Sequence, residues 1–447
     1  MKAKKTTLRQ FKPKARSIPV GLRAMEIERL SNDGRGIARP NGKATFISGA
    51  LPGERVKVRY TQCRKDFDQA ELISIEKASL IRQNPACSYY DQCGGCHLQH
   101  IEYSAQLEHK SEQLRHLFDS LSQENSIDWF PAIHFKETAY RHRVRFAISA
   151  GKRGCSLGFR KGHSKQVVDV ARCEIVLPGI NQCLMLLRTA LAELKNRSSM
   201  LECMIGEAER GDRISISLVS SHQLCQEDIE RLAKLVCSHD WHLQLLLEGN
   251  LANPYWQNRS ACMAYALPAE NLLIRYSSLD FTQVNSAVNQ QMVEQAVQWL
   301  GLSKHDSVAD FFSGVGNFSL ALAKYAASVT AFELIPEMLQ KVLKNAEING
   351  IGNIVAKQAN LFSENLVLED QFNKVLLDPP RAGALSLCEH LSPSITQNIV
   401  YISCNPHTLI RDLQQLLANG FRVERACLID MFPQTHHSEA MVLLNSG

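Results

Sequence analysis

Apolar and polar residues along the last third of the chain follow a pattern typical of parallel strands separated by helices. The apolar, strand-like runs are SVADFFSGVGNFSLALA, ASVTAFELI, NIVAKQANLF, NKVLLDPP and NIVYISCNP. They alternate with segments of helical periodicity such as PEMLQKVLKNAEI and PHTLIRDLQQLLA. This alternation predicts an α/β fold with a parallel sheet covered on both faces, and in such folds ligands bind at the carboxyl ends of the strands.

Residues 20–79 have a different pattern. Short alternating segments, among them ERVKVRYTQ and QAELISIEK, are separated by the turn sequences NDGRG, RPNG and PGE. Alternation interrupted by glycine and asparagine at this spacing predicts a small β-barrel. Basic side chains recur along it, for example Arg55, Lys57 and Arg59, which favours an RNA-binding surface. The alternative is a barrel whose charges serve only solubility.

Length and composition narrow the class of protein. A chain of 447 residues predicts roughly two to four domains. With 45% hydrophobic and 21% charged residues, the composition is typical of a folded protein. No apolar run approaches the roughly 20 residues needed to span a bilayer, and the amino terminus lacks the apolar segment of a secretory signal. We therefore expect a cytoplasmic protein without membrane contact.

The amino terminus carries a concentrated positive charge. Eight lysines and arginines precede the first acidic residue, Glu26. We interpret residues 1–19 as a basic tail that favours a polyanionic partner, with a solvated arm as the alternative.

The segment DFFSGVGNFSL places Gly314 and Gly316 at the turn from the first strand to the first helix, where glycine lets a ligand approach the backbone closely. The next strands end in Glu333, Asn360 and Asp378. An acid there can accept hydrogen bonds from ribose hydroxyls, and an amide can meet an adenine edge. Because the third glycine of the dinucleotide fingerprint is missing, we predict S-adenosylmethionine. Taken singly, the acid and the amide would more often be capping residues.

Cys404, in YISCNPHTL, ends the fifth apolar strand. Methyl transfer to an amine or hydroxyl needs no thiol. Carbon 5 of a pyrimidine, however, becomes nucleophilic only after a thiolate attacks carbon 6. The carbon 5 proton must then leave to a general base, and Glu439, just ahead of the last apolar run, is the candidate. The alternatives are a core thiol and a solvated carboxylate at a strand end.

The 14 cysteines, without a secretory signal, favour metal binding or catalysis over disulfides. Cys87, Cys93 and Cys96 form C-x5-C-x2-C, a spacing typical of metal ligands. The candidates for the fourth ligand are Cys173, His97 and Cys155. Spacing alone leaves zinc and an iron–sulfur cluster equally open.

Several motifs together resemble the RNA uracil-5 methyltransferases: DFFSGVGNFSL, FTQVNSAVNQQM, LLDPPRAG, YISCNPHTL and HHSEAMVLL. The amino-terminal barrel resembles the TRAM domain, and the four cysteines are similar to the [4Fe–4S] ligands of the ribosomal RNA branch of that family. The resemblance covers nearly the whole chain. It implies an OB-like TRAM barrel at residues 20–79, a central α+β iron–sulfur domain at 80–280 and a Rossmann-like class I methyltransferase domain at 281–447. It also implies that residues 98–130 pack on the methyltransferase domain.

The same resemblance implies roles for individual residues. It makes Cys404 the nucleophile and Glu439 the base, and it favours Phe281 as an aromatic that stacks on RNA. The residues implied around S-adenosylmethionine are Gln283, Phe312, Asn317, Glu333, Asn360 and Asp378. Those implied for the [4Fe–4S] cluster are Cys87, Cys93, Cys96 and Cys173.

We therefore expect a monomeric enzyme that methylates carbon 5 of a uridine in 23S ribosomal RNA. One alternative is the same chemistry on a different or second ribosomal uridine. Another is a transfer RNA substrate, which the barrel and the cysteines disfavour. A third is a non-catalytic iron–sulfur RNA-binding factor, which the joint presence of Cys404, Glu439 and Asp378 disfavours.

Overall fold

The computed structural model describes residues 18–121, 126–151, 154–162, 164–211, 213–363 and 370–446. Contacts along the chain divide it into two compact units. One contains the described residues up to 84 together with 100–105, and the other contains 85–99 and 106–446. The predicted basic tail lies outside the described residues except for its last two positions.

The first unit is built on a six-stranded sheet. Its strands are β1 (Arg23–Glu26), β2 (Arg29–Leu30), β3 (Gly36–Ala38), β4 (Ala44–Ile47), β5 (Arg55–Cys63) and β6 (Phe67–Lys77). They lie in the order β1-β5-β6-β4-β3-β2. Alternate residues such as Val56 and Val58 are buried with Ile27 and Ile47, which is the alternation that the sequence predicted for these strands.

The other elements of the described residues follow in chain order. The helices are α1 (Tyr103–Phe118), α2 (Pro178–Ala192), α3 (Gln226–Ser238), α4 (Ser286–Leu300), α5 (Ser319–Ala323), α6 (Pro336–Ile348), α7 (Leu385–Cys388) and α8 (Pro406–Ala418). The strands are β7 (Asp128–Trp129), β8 (Arg143–Gly151), β9 (Gly154–Gly158), β10 (Met200–Glu207), β11 (Arg210–Gly211), β12 (Ile214–Ser220), β13 (His242–Leu247), β14 (Trp256–Gln257), β15 (Met263–Leu267), β16 (Leu272–Tyr276), β17 (Ser307–Phe311), β18 (Ser328–Glu333), β19 (Ile354–Gln358), β20 (Lys374–Leu377), β21 (Asn398–Ser403), β22 (Arg422–Ile429) and β23 (Glu439–Asn445). Short 3-10 helices span Pro40–Gly42 and Arg197–Ser199.

Three sheets form the framework of the second unit. The strand order is β14-β13-β12-β10-β8-β9 in one, β11-β15-β16 in another and β19-β18-β17-β20-β21-β23-β22-β7 in the largest. In the largest sheet β19, β18, β17, β20 and β21 are parallel, whereas β23 is antiparallel to both of its neighbours. Because the chain order reverses between β17 and β20, a ligand site is expected at the carboxyl ends of these strands.

Both faces of the largest sheet are covered, as the apolar pattern predicted. Along β21, Val400 and Ile402 belong to one hydrophobic core together with Val293 of α4. Tyr401, between them, belongs to a second core that includes Phe118 of α1. Successive strand residues point to opposite faces, so each face of the sheet has its own core. None of the helices in the described part of the chain is long and apolar enough to cross a bilayer.

Candidate active site

A cavity of about 740 Å³ opens at the carboxyl ends of the central parallel strands. It brings together most of the residues predicted for catalysis and cofactor binding, namely Gln283, Phe312, Asn317, Glu333, Asp378, Cys404 and Glu439. Phe281 also lines it, and the side chain of Phe281 is 76% exposed. Asn360 is not on the wall, although both of its neighbours are. The Oδ1 atom of Asn360 instead accepts a hydrogen bond from the backbone nitrogen of Phe362 (3.1 Å).

Strand pairing places Cys404 opposite Glu439. Strands β21 and β23 are antiparallel, and Ser403 pairs with Ala440. Cys404 directly follows Ser403, the last residue of β21, and Glu439, the first residue of β23, directly precedes Ala440. In an antiparallel pair such residues lie across from each other. The thiol and the carboxylate therefore meet at the rim of the same cavity.

The turn after β21 fixes the backbone of Cys404. Asn405 caps α8 because its Oδ1 accepts a hydrogen bond from the backbone nitrogen of His407 (3.3 Å), and Pro406 begins the helix. The Nδ2 atom of Asn405 donates to the carbonyl oxygen of Arg381 (3.0 Å). Since Arg381 follows Asp378 by three residues, this bond joins the loop that carries Asp378 to the one that carries Cys404.

Burial is the main influence on the ionisable groups Cys404, Glu439 and Asp378 of the cavity. Burial, followed by the charges of Glu439 and Asp378, raises the pKa of Cys404 to about 11. Burial also raises the pKa of Glu439 to about 8 and that of Asp378 to about 7. The guanidinium of Arg381 has the opposite effect on the pKa of Cys404 and of Glu439. Arg381 is thus a positive charge that favours the ionised forms of both groups.

Glu333 holds in place the loop that contains Gly314 and Gly316, which we call the glycine loop. Its carboxylate accepts hydrogen bonds from the backbone nitrogens of Gly314 (3.2 Å), Leu334 (2.7 Å) and Ile335 (3.2 Å). Gly314 has a φ of +54°, a conformation that glycine adopts without steric cost. Phe312 has a φ of 68°, which is uncommon for a residue with a side chain and often marks a functional site.

Sequence reasoning missed the partners of Asn317. Its Oδ1 accepts hydrogen bonds from the hydroxyl of Tyr265 (2.8 Å) and from Nδ2 of Asn289 (3.0 Å), and its Nδ2 donates to Oδ1 of Asn289 (2.9 Å). Tyr265 comes from β15 in another sheet, so no local pattern reveals it. The sequence shows Asn289 as a polar residue within the motif FTQVNSAVNQQM, but it does not predict that this residue is buried.

The four predicted cysteine ligands line a second, small cavity. Cys87, Cys93, Cys96 and Cys173 surround it together with aromatic residues, whereas His97 and Cys155 do not line it. Burial raises the pKa of Cys96 to about 12 and that of Cys173 to about 11. Among the described residues, no three histidine, cysteine or acidic side chains form a group that could hold a metal ion.

Gly94 allows residues 87–98, which we call the cysteine segment, to lie against the chain that follows β9. Its backbone nitrogen donates to the carbonyl oxygen of Arg160 (3.0 Å). A Cβ atom at this position would come within 2.9 Å of that oxygen, closer than ordinary van der Waals contact. The glycine is therefore required for this close approach.

Buried contacts also hold the segment that leads to Glu439. The backbone nitrogens of His97 and Leu98 donate to the carbonyl oxygen of Gln434 (2.8 and 3.1 Å). Lys110 of α1 forms an ion pair with Asp430 (Nζ to Oδ1, 2.7 Å), and both side chains are almost completely buried. Residues 430–437 are thus bound to α1 and to the cysteine segment. They contribute Phe432 and His437 to the large cavity.

Comparisons with known proteins show which family the chain resembles. A family model described as tRNA (Uracil-5-)-methyltransferase matches residues 102–446, and a TRAM domain model matches residues 25–73. A protein of Aliivibrio fischeri named 23S rRNA (uracil(1939)-C(5))-methyltransferase RlmD is 37% identical over 441 residues, which cover 97% of this chain and 98% of that one. Its namesake in Acidithiobacillus ferrooxidans is 35% identical, with 93% and 96% covered.

One solved structure is similar over most of the fold. The Pyrococcus abyssi tRNA (uracil-54, C5)-methyltransferase, solved in complex with S-adenosyl-L-homocysteine, superposes with a TM-score of 0.74 at 23% identity. The match covers 94% of this chain and all of that one. The two chains share the methyltransferase fold.

Proposed function

The chain belongs to the tRNA (uracil-5-)-methyltransferase family, and we propose that it methylates carbon 5 of a uridine in 23S ribosomal RNA. The names of its full-length relatives support this substrate and suggest the uridine that corresponds to uracil 1939. The TRAM domain supports an RNA partner. The observation that carries the proposal is the position of Cys404 opposite Glu439 on the wall of the large cavity.

In the proposed reaction the Cys404 thiolate forms a bond to carbon 6 of the uracil, which makes carbon 5 nucleophilic. S-adenosylmethionine, when bound, supplies the methyl group that carbon 5 receives. Glu439 then removes the proton from carbon 5. The electrons of that bond restore the ring double bond as the bond between carbon 6 and the sulfur breaks. A carboxylate with a pKa of about 8 is a suitable proton acceptor near neutral pH.

We assign the methyl donor to the part of the cavity bordered by the glycine loop. Glu333, already bound to three backbone nitrogens, retains acceptor capacity for ribose hydroxyls because a carboxylate has about four lone-pair sites. Asn317, fixed by Tyr265 and Asn289, offers a rigid amide. The other residues of this assignment are Gln283, Phe312 and Asp378 on the cavity wall, and Asn360, whose two chain neighbours line it.

The target uridine must leave its stack to reach Cys404, which costs a few kcal/mol. Phe281 is suited to offset part of this cost, because an aromatic side chain that is 76% exposed can stack on an unpaired base. A monomer as the active form is part of the same proposal. Domain boundaries near residues 80 and 281 are part of the same proposal.

We also propose that Cys87, Cys93, Cys96 and Cys173 bind a [4Fe–4S] cluster. Their placement around one cavity supports the set of four. In such a cluster each of the four thiolates binds the metal–sulfur core at a separate site, so the ligands surround a group rather than one ion. Metal binding would release the thiol protons. The contacts between this segment and Gln434 favour a structural role.

The experiment that tests the function uses an RNA fragment with 5-fluorouridine at the target position. Fluorine at carbon 5 cannot be removed as a proton, so the reaction should stop at a covalent protein–RNA adduct after methylation. Cys404→Ala should form no adduct. Cys237→Ala, which removes an exposed cysteine, should form the adduct like the unmodified protein. Absence of an adduct from folded, cluster-loaded protein would overturn the proposal.

A further inference from the structure

A second open cavity, of about 420 Å³, is lined by residues that follow those of the catalytic cavity along the chain. Residues 282–284 line the catalytic cavity, and residues 285–287 line the second one. One continuous stretch of chain therefore borders both. Nucleotides next to a target uridine at Cys404 are therefore the candidate occupants of the second cavity.

The wall of the second cavity contains an unused hydrogen-bond donor. Asn285 caps α4, because its Oδ1 accepts from the backbone nitrogen of Val288 (3.4 Å). Its Nδ2 is buried and has no hydrogen-bond partner in the described part of the chain, and the residue is only 1% exposed. Buried donors are rarely left unpaired. A ligand that carries an acceptor would satisfy this amide at the amino-terminal end of α4.

The remaining wall offers a stacking surface and a carboxylate. The ring of Phe135 is 53% exposed, and the Nζ atom of Lys136 lies 5.8 Å from its centroid. Glu209 accepts a hydrogen bond from the backbone nitrogen of Ala266 through Oε2 (3.0 Å), which leaves its other oxygen available. Ala139, also on this wall, has a φ of 46°, a backbone outlier of the kind that collects at ligand sites.

The charges of the cavity disfavour a phosphate group as the main ligand. Lys136 and Arg213 are balanced by Glu207 and Glu209. Burial lowers the pKa of His142 to about 4, so its ring is neutral at pH 7. A cavity without net charge, with donors, an acceptor and an aromatic ring, fits an uncharged planar group that has both acceptors and donors on its edge.

We propose that this cavity binds an unpaired purine base of the same RNA, within a few nucleotides of the target uridine. The exocyclic amino group of adenine or guanine would donate to Glu209, and a ring acceptor would receive the Asn285 amide, as amides and carboxylates do with base edges elsewhere. Phe135 would stack on the base. The proposal rests on the proposed function, because it requires the RNA to be the substrate.

The test measures the affinity of the full-length, cluster-loaded protein for an RNA fragment around the target uridine. Each nucleotide within three positions of the target is replaced in turn by an abasic residue. One purine position should lose at least about fivefold in affinity, the usual effect of losing a stacked base. Phe135→Ala should weaken the intact RNA by a similar factor, and the abasic replacement should then have little further effect.

Two more variants sharpen the result. Asn285→Ser retains a side chain that can cap α4 but removes the amide donor, so it should weaken binding of the intact RNA and not of the abasic RNA. Tyr325→Ala, at an exposed aromatic that lines neither cavity, should change nothing. If no position in the series loses affinity, or if Phe135→Ala weakens every RNA equally, the cavity does not hold a base.

The same RNAs with 5-fluorouridine separate this proposal from the proposed function. At saturating RNA every variant should still form the Cys404 adduct. An adduct with unchanged affinities would refute the base pocket alone. No adduct with any RNA would instead refute the proposed function.

Discussion

Cys404 and Glu439 lie opposite each other across the antiparallel strands β21 and β23, next to the Ser403–Ala440 pair. Glu439 is the first residue of β23 and Cys404 directly follows the last residue of β21, so this strand pair sets the separation between the base and the nucleophile. Elements of regular structure hold reacting groups more rigidly than loops do. The two groups must act on adjacent ring carbons, and one strand pair can place them accordingly.

Release of methylated RNA should become faster as the pH rises through about 8. Burial raises the pKa of Glu439 to about 8, and only the ionised carboxylate can accept the carbon 5 proton. Single-turnover measurements between about pH 6 and 9 would show the rate of product release rising with pH. A rate that stays constant over this range would mean that Glu439 does not limit the release step.

Arg381→Gln should slow adduct formation and shift its pH dependence upward. The guanidinium lowers the pKa of Cys404 against the effects of burial and of two carboxylates, so its removal makes the thiolate rarer. We expect about a tenfold slower rate at pH 7.5, since one pKa unit corresponds to a tenfold change in thiolate. Arg422→Gln, at an exposed arginine away from the cavity, is the control. Equal rates for the two variants would contradict this role.

Lys110→Met should lower the free energy of unfolding by about 3–5 kcal/mol, because it removes the cation that is paired with the buried carboxylate of Asp430. The double variant with Asp430→Leu should recover much of the loss. Arg259→Met, which breaks an ion pair with the exposed Asp240, should cost less than about 1 kcal/mol. Denaturant unfolding would measure all three. If Lys110→Met loses as little free energy of unfolding as Arg259→Met, the buried pair is not important for stability.

Metal analysis should find about four irons and four sulfides per chain. Cys173→Ser should remove most of them, because Cys173 lines the small cavity. Cys155→Ser, at a cysteine that does not line it, should retain them. One zinc per chain, or equal loss from the two variants, would contradict the proposed cluster.

The sequence predicted those features that depend on local patterns. The alternation of apolar runs with helical segments was sufficient to predict the parallel sheet. The positions of Glu333, Asp378 and Cys404 at the ends of strands were sufficient to predict that they lie on one cavity wall. The pairing of β23 between β21 and β22 depends on strand order, which periodicity does not determine. The ion pair of Lys110 with Asp430 joins positions 320 residues apart. Such contacts arise only from the packing of the whole unit.

One measurement on a Glu439 variant tests both the attack of Cys404 on the uracil and the completion of the reaction by Glu439. Glu439→Gln protein is incubated with ordinary uridine RNA and S-adenosylmethionine, and the products are resolved by intact mass. A glutamine cannot accept the carbon 5 proton, so the protein should remain covalently joined through Cys404 to RNA that carries the added methyl group. Free methylated RNA, released at the rate of the unmodified protein, would contradict the account.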